Sequence, residues 1–156
     1  MSGKLAKEIR QTRPFRSRSE EAFLNLGRTW QFLELKMGTL LKEHKLTPTQ
    51  YNLLRILRGA GAEGVTCSQA TERMLSPDPD MTRLVDRMIK QELVRRDRDE
   101  RDRRVVITRI TDAGLGLVNR IDGPLHQLLQ RWLGRLGQER LKQLIEMLEE
   151  LREPPE

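Results

Sequence analysis

The residues with chemistry to offer are arginines. Between positions 83 and 109 the chain carries ten basic and six acidic residues, against a net charge of +6 for all 156. Guanidinium groups at that density suit phosphates and base edges, because each presents a planar fork of donors that stays charged at physiological pH. Read without a partner, the same stretch is a solvated surface that neutralises itself. Material for other chemistry is sparse. Cys67 is the single cysteine, which excludes an intramolecular disulfide and a cysteine-rich zinc cluster. It falls near an expected helix start, which can lower a thiol pKa, but with no second cysteine a redox role is disfavoured. His44 and His126 are far apart and read as surface or interface histidines. No Ser-His-Asp, Cys-His, metal-ligand or phosphate-loop pattern occurs. An enzyme is therefore the poorest reading, and no cofactor or metal is expected.

The charge is unevenly placed. Residues 1–28 carry seven basic and three acidic groups, residues 29–82 six of each, and residues 110–156 six basic and eight acidic. A localised basic excess points to a polyanionic partner. Apolar residues make up 37% of the chain, enough for a core. No apolar run approaches the ~18 residues of a membrane span. The first residues read as neither secretory signal nor anchor, so a reducing cytoplasm is the expected compartment.

The elements that must hold the arginines can be read from caps and periods. Residues 1–16 read as a flexible basic arm with Lys4, Lys7, Arg10, Arg13 and Arg16. A long helix is expected from Ser17, where Ser17 and Glu20 form a capping box. Its apolar stripe is Ala22, Leu26, Trp30, Leu33, Met37, Leu40 and Leu41, longer than its short neighbours can cover, which hints at a second subunit. Thr47-Pro48-Thr49-Gln50 starts another helix, with Leu53, Leu54, Ile56 and Leu57 buried and Gly59 and Gly61 at its end. Thr66-Cys67-Ser68-Gln69 opens a short helix to about Leu75, with Val65 and Ala70 as a staple across its start. Ser76-Pro77-Asp78-Pro79 forces a turn. A further helix runs from Asp78 or Pro79 to about Glu92. It buries Met81, Leu84, Val85 and Met88 and shows Asp80, Thr82, Arg83, Arg87 and Lys90. Two helices joined by a tight turn make a helix-turn-helix.

The period then changes to two. Leu93 to Arg96 reads as one strand and Arg103 to Arg109 as its partner, separated by six charged residues, Asp97 to Asp102. A hairpin with apolar feet and a charged tip projects that tip outward, as a wing does. Thr111 caps another long helix with the stripe Val118, Ile121, Leu125, Leu128, Leu129, Trp132 and Leu136, which Pro124 should bend. A last helix from about Gln138 to Arg152 carries Leu141, Leu144, Ile145, Leu148 and Leu151 on one face, and Pro154-Pro155 stops it. The fold class is mainly α with a small β-hairpin wing: a winged helix-turn-helix with long N- and C-terminal helices.

In that order stand Met81 to Met88, Leu93-Val94-Arg95-Arg96, Asp102-Arg103-Arg104 and Ile110-Thr111-Asp112-Ala113-Gly114. The arrangement resembles the MarR family of transcriptional regulators over about residues 20–152, most specifically over 82–114. The resemblance implies one domain over 17–156. Its winged helix-turn-helix lobe spans 47–110, and a helical dimerisation region takes in 17–46 and 111–153. It implies a homodimer on double-stranded DNA with an inverted-repeat operator, acting as a repressor released by a small aromatic effector. Thr82, Arg83, Arg87 and Lys90 would meet the major groove. Arg101, Asp102, Arg103 and Arg104 would form the wing tip, with Asp102 holding Arg104 for the minor groove. Trp30, Met37 and Tyr51, with Trp132 as a further candidate, would line the effector pocket. The family often leads into its recognition helix with Ser or Thr. Here Asp78-Pro79-Asp80 stands instead, and Asp80 is expected to face water. The alternatives are a nonspecific or architectural nucleic-acid-binding protein, and a protein-interaction module with a basic wing.

Overall fold

The computed structural model describes residues 3–76 and 80–154. Among the described residues seven helices and one hairpin follow in order: α1 (Lys4–Glu8), α2 (Arg18–Glu43), α3 (Pro48–Ala60), α4 (Cys67–Arg73), α5 (Met81–Lys90), β1 (Val94–Arg98), β2 (Val106–Ile110), α6 (Asp112–Trp132) and α7 (Gln138–Glu150). Single 3-10 turns lie at Gly61–Glu63 and Gly134–Leu136.

Side-chain caps set the helix starts. Thr47 and Thr66 each accept from the amide three residues on, and Gln50 and Gln69 reach back to the cap amide. Both capping boxes are closed, and Pro48 occupies the first turn, where its missing N–H costs nothing. At α2 the box is offset. Ser17 caps the Glu20 amide at 3.0 Å, but the Glu20 carboxylate takes the amide of Arg16. Gly61, with φ of +57°, closes α3, and Gly59 lies inside that helix. The turn expected at Pro77, Asp78 and Pro79 lies outside the described residues.

The core gathers the buried faces of α3, α4, α5 and α6. Leu53, Leu54, Leu57, Met88, Val118 and Ile121 are fully buried, with Leu41 from the end of α2. Val65 and Ala70, the expected staple across the start of α4, are both buried. Val65 also pairs in both directions with Thr108, at 3.0 and 2.7 Å, adding a third, one-residue rung to the hairpin. Gly64 makes that approach feasible. It has φ of +64°, and a Cβ there would lie 2.5 Å from the Thr108 carbonyl oxygen.

The N-terminal segment differs from the expected arm. Lys4–Glu8 is helical, Leu5 is 3% exposed, and it lines a groove with Phe32, Leu35 and Trp132. Two adjacent apolar residues, Leu5 and Ala6, suffice to fold the segment back. The cations Lys4, Lys7, Arg10, Arg13 and Arg16 stay exposed.

Candidate DNA interface

Helix α5 sorts its residues by face. Met81, Leu84, Val85 and Met88 point into the core, while Thr82, Arg83, Arg87 and Lys90 are exposed. Asp80 is its N-cap. One carboxylate oxygen accepts from the Arg83 amide at 3.2 Å, and the other lies 3.0 Å from Arg83 Nε. The expectation that Asp80 simply faces water is therefore corrected. The open amides at the helix start and the guanidinium one turn on recruit it.

The wing pairs Val94 with Ile110 through Arg98 with Val106. Its second strand starts at Val106, three residues later than expected, because residues 99–105 close a compact tip. Asp99 organises that tip. Its Oδ1 accepts from the amides of Arg101 (2.8 Å) and Asp102 (2.9 Å), while its own amide donates to the Val105 carbonyl. The amides of Asp102 and Arg101 hold the Asp99 carboxyl below its ordinary pKa. Asp102 accepts from the Arg104 amide at 2.9 Å. Its hold on Arg104 is thus through the main chain, and the guanidinium is left outward. Arg101, Asp102, Arg103 and Arg104 are all exposed.

A feature the sequence did not announce ties helix to wing. Arg96 on β1 ion-pairs with Asp86 of α5 and donates to the Thr82 carbonyl at 3.2 Å. On the next rung Asp97 lies between Arg95 and Arg109, at 2.8 and 3.0 Å. Arg109 Nε reaches the Ala62 carbonyl at 2.7 Å. Three of the stretch's arginines are therefore braces. At the far end, Thr111 caps the Gly114 amide and donates to the Glu92 carbonyl at 2.7 Å.

Trp30, Met37 and Tyr51 are brought together along one groove of about 150 Å³. That is the volume at which an apolar cavity holds a single aromatic ring. Asn52 and Leu75 also line it, and the Leu75 amide donates to Asn52 Oδ1 at 2.9 Å. Tyr51 is 4% exposed and its hydroxyl donates to Asp122 at 3.5 Å, while Arg58 binds Asp122 at 2.6 Å. Burial, then the Asp122 charge, raise the Tyr51 pKa above its ordinary value. Trp132 lies elsewhere, packed edge-on against Phe32 with ring centroids 4.8 Å apart.

Much apolar surface stays uncovered. Helix α7 buries no residue, although Leu141, Leu144, Ile145, Leu148 and Leu151 follow its period. Phe23 (74% exposed), Leu26 and Trp30 stand out from α2, as do Ile145 and Leu151 near the C-terminus.

A short helix, an outward basic helix and a braced hairpin whose tip carries arginines define a winged helix-turn-helix DNA-binding protein. A MarR family model matches residues 44–105. The structure is similar to the MarR transcription factor from Planctomyces limnophilus, with a TM-score of 0.66 at 38% identity, covering 87% of this chain and 98% of that one. The chain belongs to the MarR family of transcriptional regulators. It is also 28% identical over 131 residues to the HTH-type transcriptional regulator MhqR of Bacillus subtilis (strain 168), covering 84% of this chain and 89% of that protein. At the level of fold alone it is similar to CouR from Rhodococcus jostii RHA1, solved bound to p-coumaroyl-CoA. There the TM-score is 0.75 at 21% identity, covering 91% of this chain and 99% of that one. The Planctomyces limnophilus and Bacillus subtilis proteins are named as a transcription factor and a transcriptional regulator, not as enzymes. Among the described residues no helix is long and apolar enough to cross a membrane.

Proposed function

We propose that the protein is a homodimeric, sequence-specific repressor that acts in the cytoplasm, has no enzymatic activity, and is released from an inverted-repeat operator by a small aromatic effector. The observation that carries the DNA reading is the Arg96 brace, which holds the exposed basic face of α5 and the arginine-bearing wing as one body. Thr82, Arg83, Arg87 and Lys90 then enter the major groove while Arg101, Arg103 and Arg104 reach the flanking minor groove. A narrow A·T-rich minor groove concentrates negative potential, and a guanidinium sheds its water more readily than an ammonium.

The dimer reading is supported by α7. A thirteen-residue amphipathic helix with no buried residue needs cover, and a second copy supplies it through the exposed apolar residues of α2. Two recognition helices then have to sit about 34 Å apart to meet successive major grooves. The effector reading is supported by the groove at Trp30, Met37 and Tyr51. Asn52 in its wall holds the Leu75 amide, at the entry to the segment that leads into α5. A ligand that prefers another placement of that segment lowers operator affinity by its differential binding to the two states.

Selection of the full chain on random duplex DNA at low and near-physiological salt, with sedimentation of the free protein, tests this. The expected result is a dimer enriching an inverted repeat with half-sites about 10 bp apart, and loss of both on truncation after Gly137. Binding that enriches nothing and vanishes with salt would refute the reading in favour of a nonspecific nucleic-acid or protein-docking role.

A further inference from the structure

We infer that the Gly123-Pro124 step of α6 is the pivot that sets the DNA-binding lobe and that Arg58 and Asp122 lock it, so that these residues decide which half-site spacing the dimer accepts. The inference rests on the dimeric, DNA-binding reading above and adds to it four residues that it does not place against DNA.

Glycine and proline are the two poorest residues for a helix interior, and α6 carries them side by side near its middle. Pro124 offers no N–H to the Arg120 carbonyl, so one backbone bond of the helix is missing there. No packing requires Gly123: a Cβ at that position meets nothing within 4 Å, and its backbone is not left-handed. The step falls where α6 leaves the lobe. Just before it, Val118 and Ile121 are fully buried in the core with Leu53, Leu54 and Leu57. Leu125, just past it, closes that core and lines the groove of Trp30, Met37 and Tyr51. Further on, Trp132 packs on Phe32 of α2, and α7 follows with its uncovered apolar residues.

Helix α2 also spans both regions, from exposed Phe23 and Leu26 to buried Leu41. It is weakened at the same level. A Cβ at Gly38 meets nothing within 4 Å. The Thr39 hydroxyl donates to the Leu35 carbonyl at 2.9 Å, a back-bond that loosens and bends helices. Thr39, Leu40, Pro124 and Leu128 line one groove, so the two weak steps adjoin.

Asp122 ties the last turn before the pivot to α3. Its carboxylate takes both arms of the Arg58 fork, Nη1 at 2.6 Å and Nη2 at 3.3 Å, and Nη1 also reaches Asn119 Oδ1 at 3.0 Å. A two-armed contact fixes orientation as well as distance. The Tyr51 hydroxyl donates to the same carboxylate at 3.5 Å. Tyr51 on the lobe side of the pivot and Leu125 and Leu129 beyond it are walls of one groove. An occupant wedged there acts on the angle between the two halves, which is how a hinge is biased.

The test uses the full-length protein and the operator obtained by selection, with its half-sites also moved apart or together by one base pair. The readout is the spacing ratio, the affinity for the selected operator divided by that for a shifted one. A uniform loss of affinity cancels in it. The wild-type protein should prefer the selected spacing. Arg58→Gln, which removes the fork, should lower the ratio about threefold. Gly123→Ala combined with Pro124→Ala, which restores a continuous helix, should raise the ratio about threefold and raise the thermal midpoint. Both variants should sediment as the wild type does. Residues with only a folding role would move the thermal midpoint and leave the ratio alone. A ratio that either variant leaves unchanged or moves the other way overturns this inference while the regulator reading stands. Dissociation of the dimer by the alanine pair does the same, because Gly123 would then be a contact between subunits. Enrichment of no repeat overturns the regulator reading and this inference with it.

Discussion

Alanine at position 114 should destabilise the protein although it replaces a helical glycine. Gly114 is the third residue of α6 and is buried. A Cβ built there runs into the carbonyl oxygen of Leu93 and lies 2.9 Å from Ile110 Cγ1. Both obstacles are anchored, the first being main chain, so the helix start has to retreat from the residues just before the wing. That retreat strains the Thr111 amide bond to Leu93 (3.1 Å) and the Thr111 hydroxyl bond to Glu92 (2.7 Å). Each is worth about 1 kcal/mol. Forcing a methyl into packed surroundings costs about 1–3 kcal/mol more, and alanine returns about 1 kcal/mol of helix propensity. The net loss is about 2–4 kcal/mol. Gly59→Ala in α3 is the control. Nothing lies within 4 Å of its Cβ, so it should gain up to about 1 kcal/mol. Urea unfolding followed by far-ultraviolet circular dichroism, at fixed protein concentration so that any self-association is held constant, reads both. A Gly114→Ala midpoint equal to or above wild type would refute the packing argument.

Three further outcomes follow from the site. Arg104→Ala should weaken operator binding by about 1–3 kcal/mol at constant salt and leave the unfolding midpoint unchanged; undiminished affinity would remove the wing tip from the interface. Tyr51 is the only tyrosine, so phenolate absorbance titrates it alone. Its midpoint should exceed that of an unfolded control and fall in Asp122→Asn, and the stability linked to it should be complete below the unfolded pKa and lost as pH rises through the folded one. For Asp99 the sign is opposite: its contribution is present above the ordinary aspartate pKa and lost as pH falls through its depressed folded value. Its carboxyl resonance should therefore titrate below the ordinary aspartate range, and a midpoint within that range would show that the tip amides do not hold it.

Local rules made the scaffold legible. Thr47, Thr66 and Thr111 marked three helix starts because a capping hydroxyl acts within three residues of itself. The apolar period of α5 separated its core face from its exposed cations for the same reason. Non-local pairings were hidden. Arg96 and Asp86 lie on different elements, and in a stretch where charges alternate nothing singles out that pair from its neighbours. The tip shows the same limit: Asp99 and Asp102 are both aspartates in a charged run, and only the folded turn gives one of them two amides and the other one. Leu5 was passed over because a single adjacent pair of apolar residues among cations has no period to read, yet it is 3% exposed. Trp30, Met37 and Tyr51 line one groove, and no spacing rule would have brought them together.

The Arg96 brace also determines which partner adapts on binding. With Asp86 and the Thr82 carbonyl held from β1, the reach from α5 to the wing tip is a fixed span. In the docking proposed above, a duplex whose flanking minor groove lies off that span has to bend or narrow to meet Arg104, at an elastic cost that varies with the local base steps. Stiff and pliable flanks are then ranked at positions no side chain touches, and the protein acts there as a gauge for DNA shape.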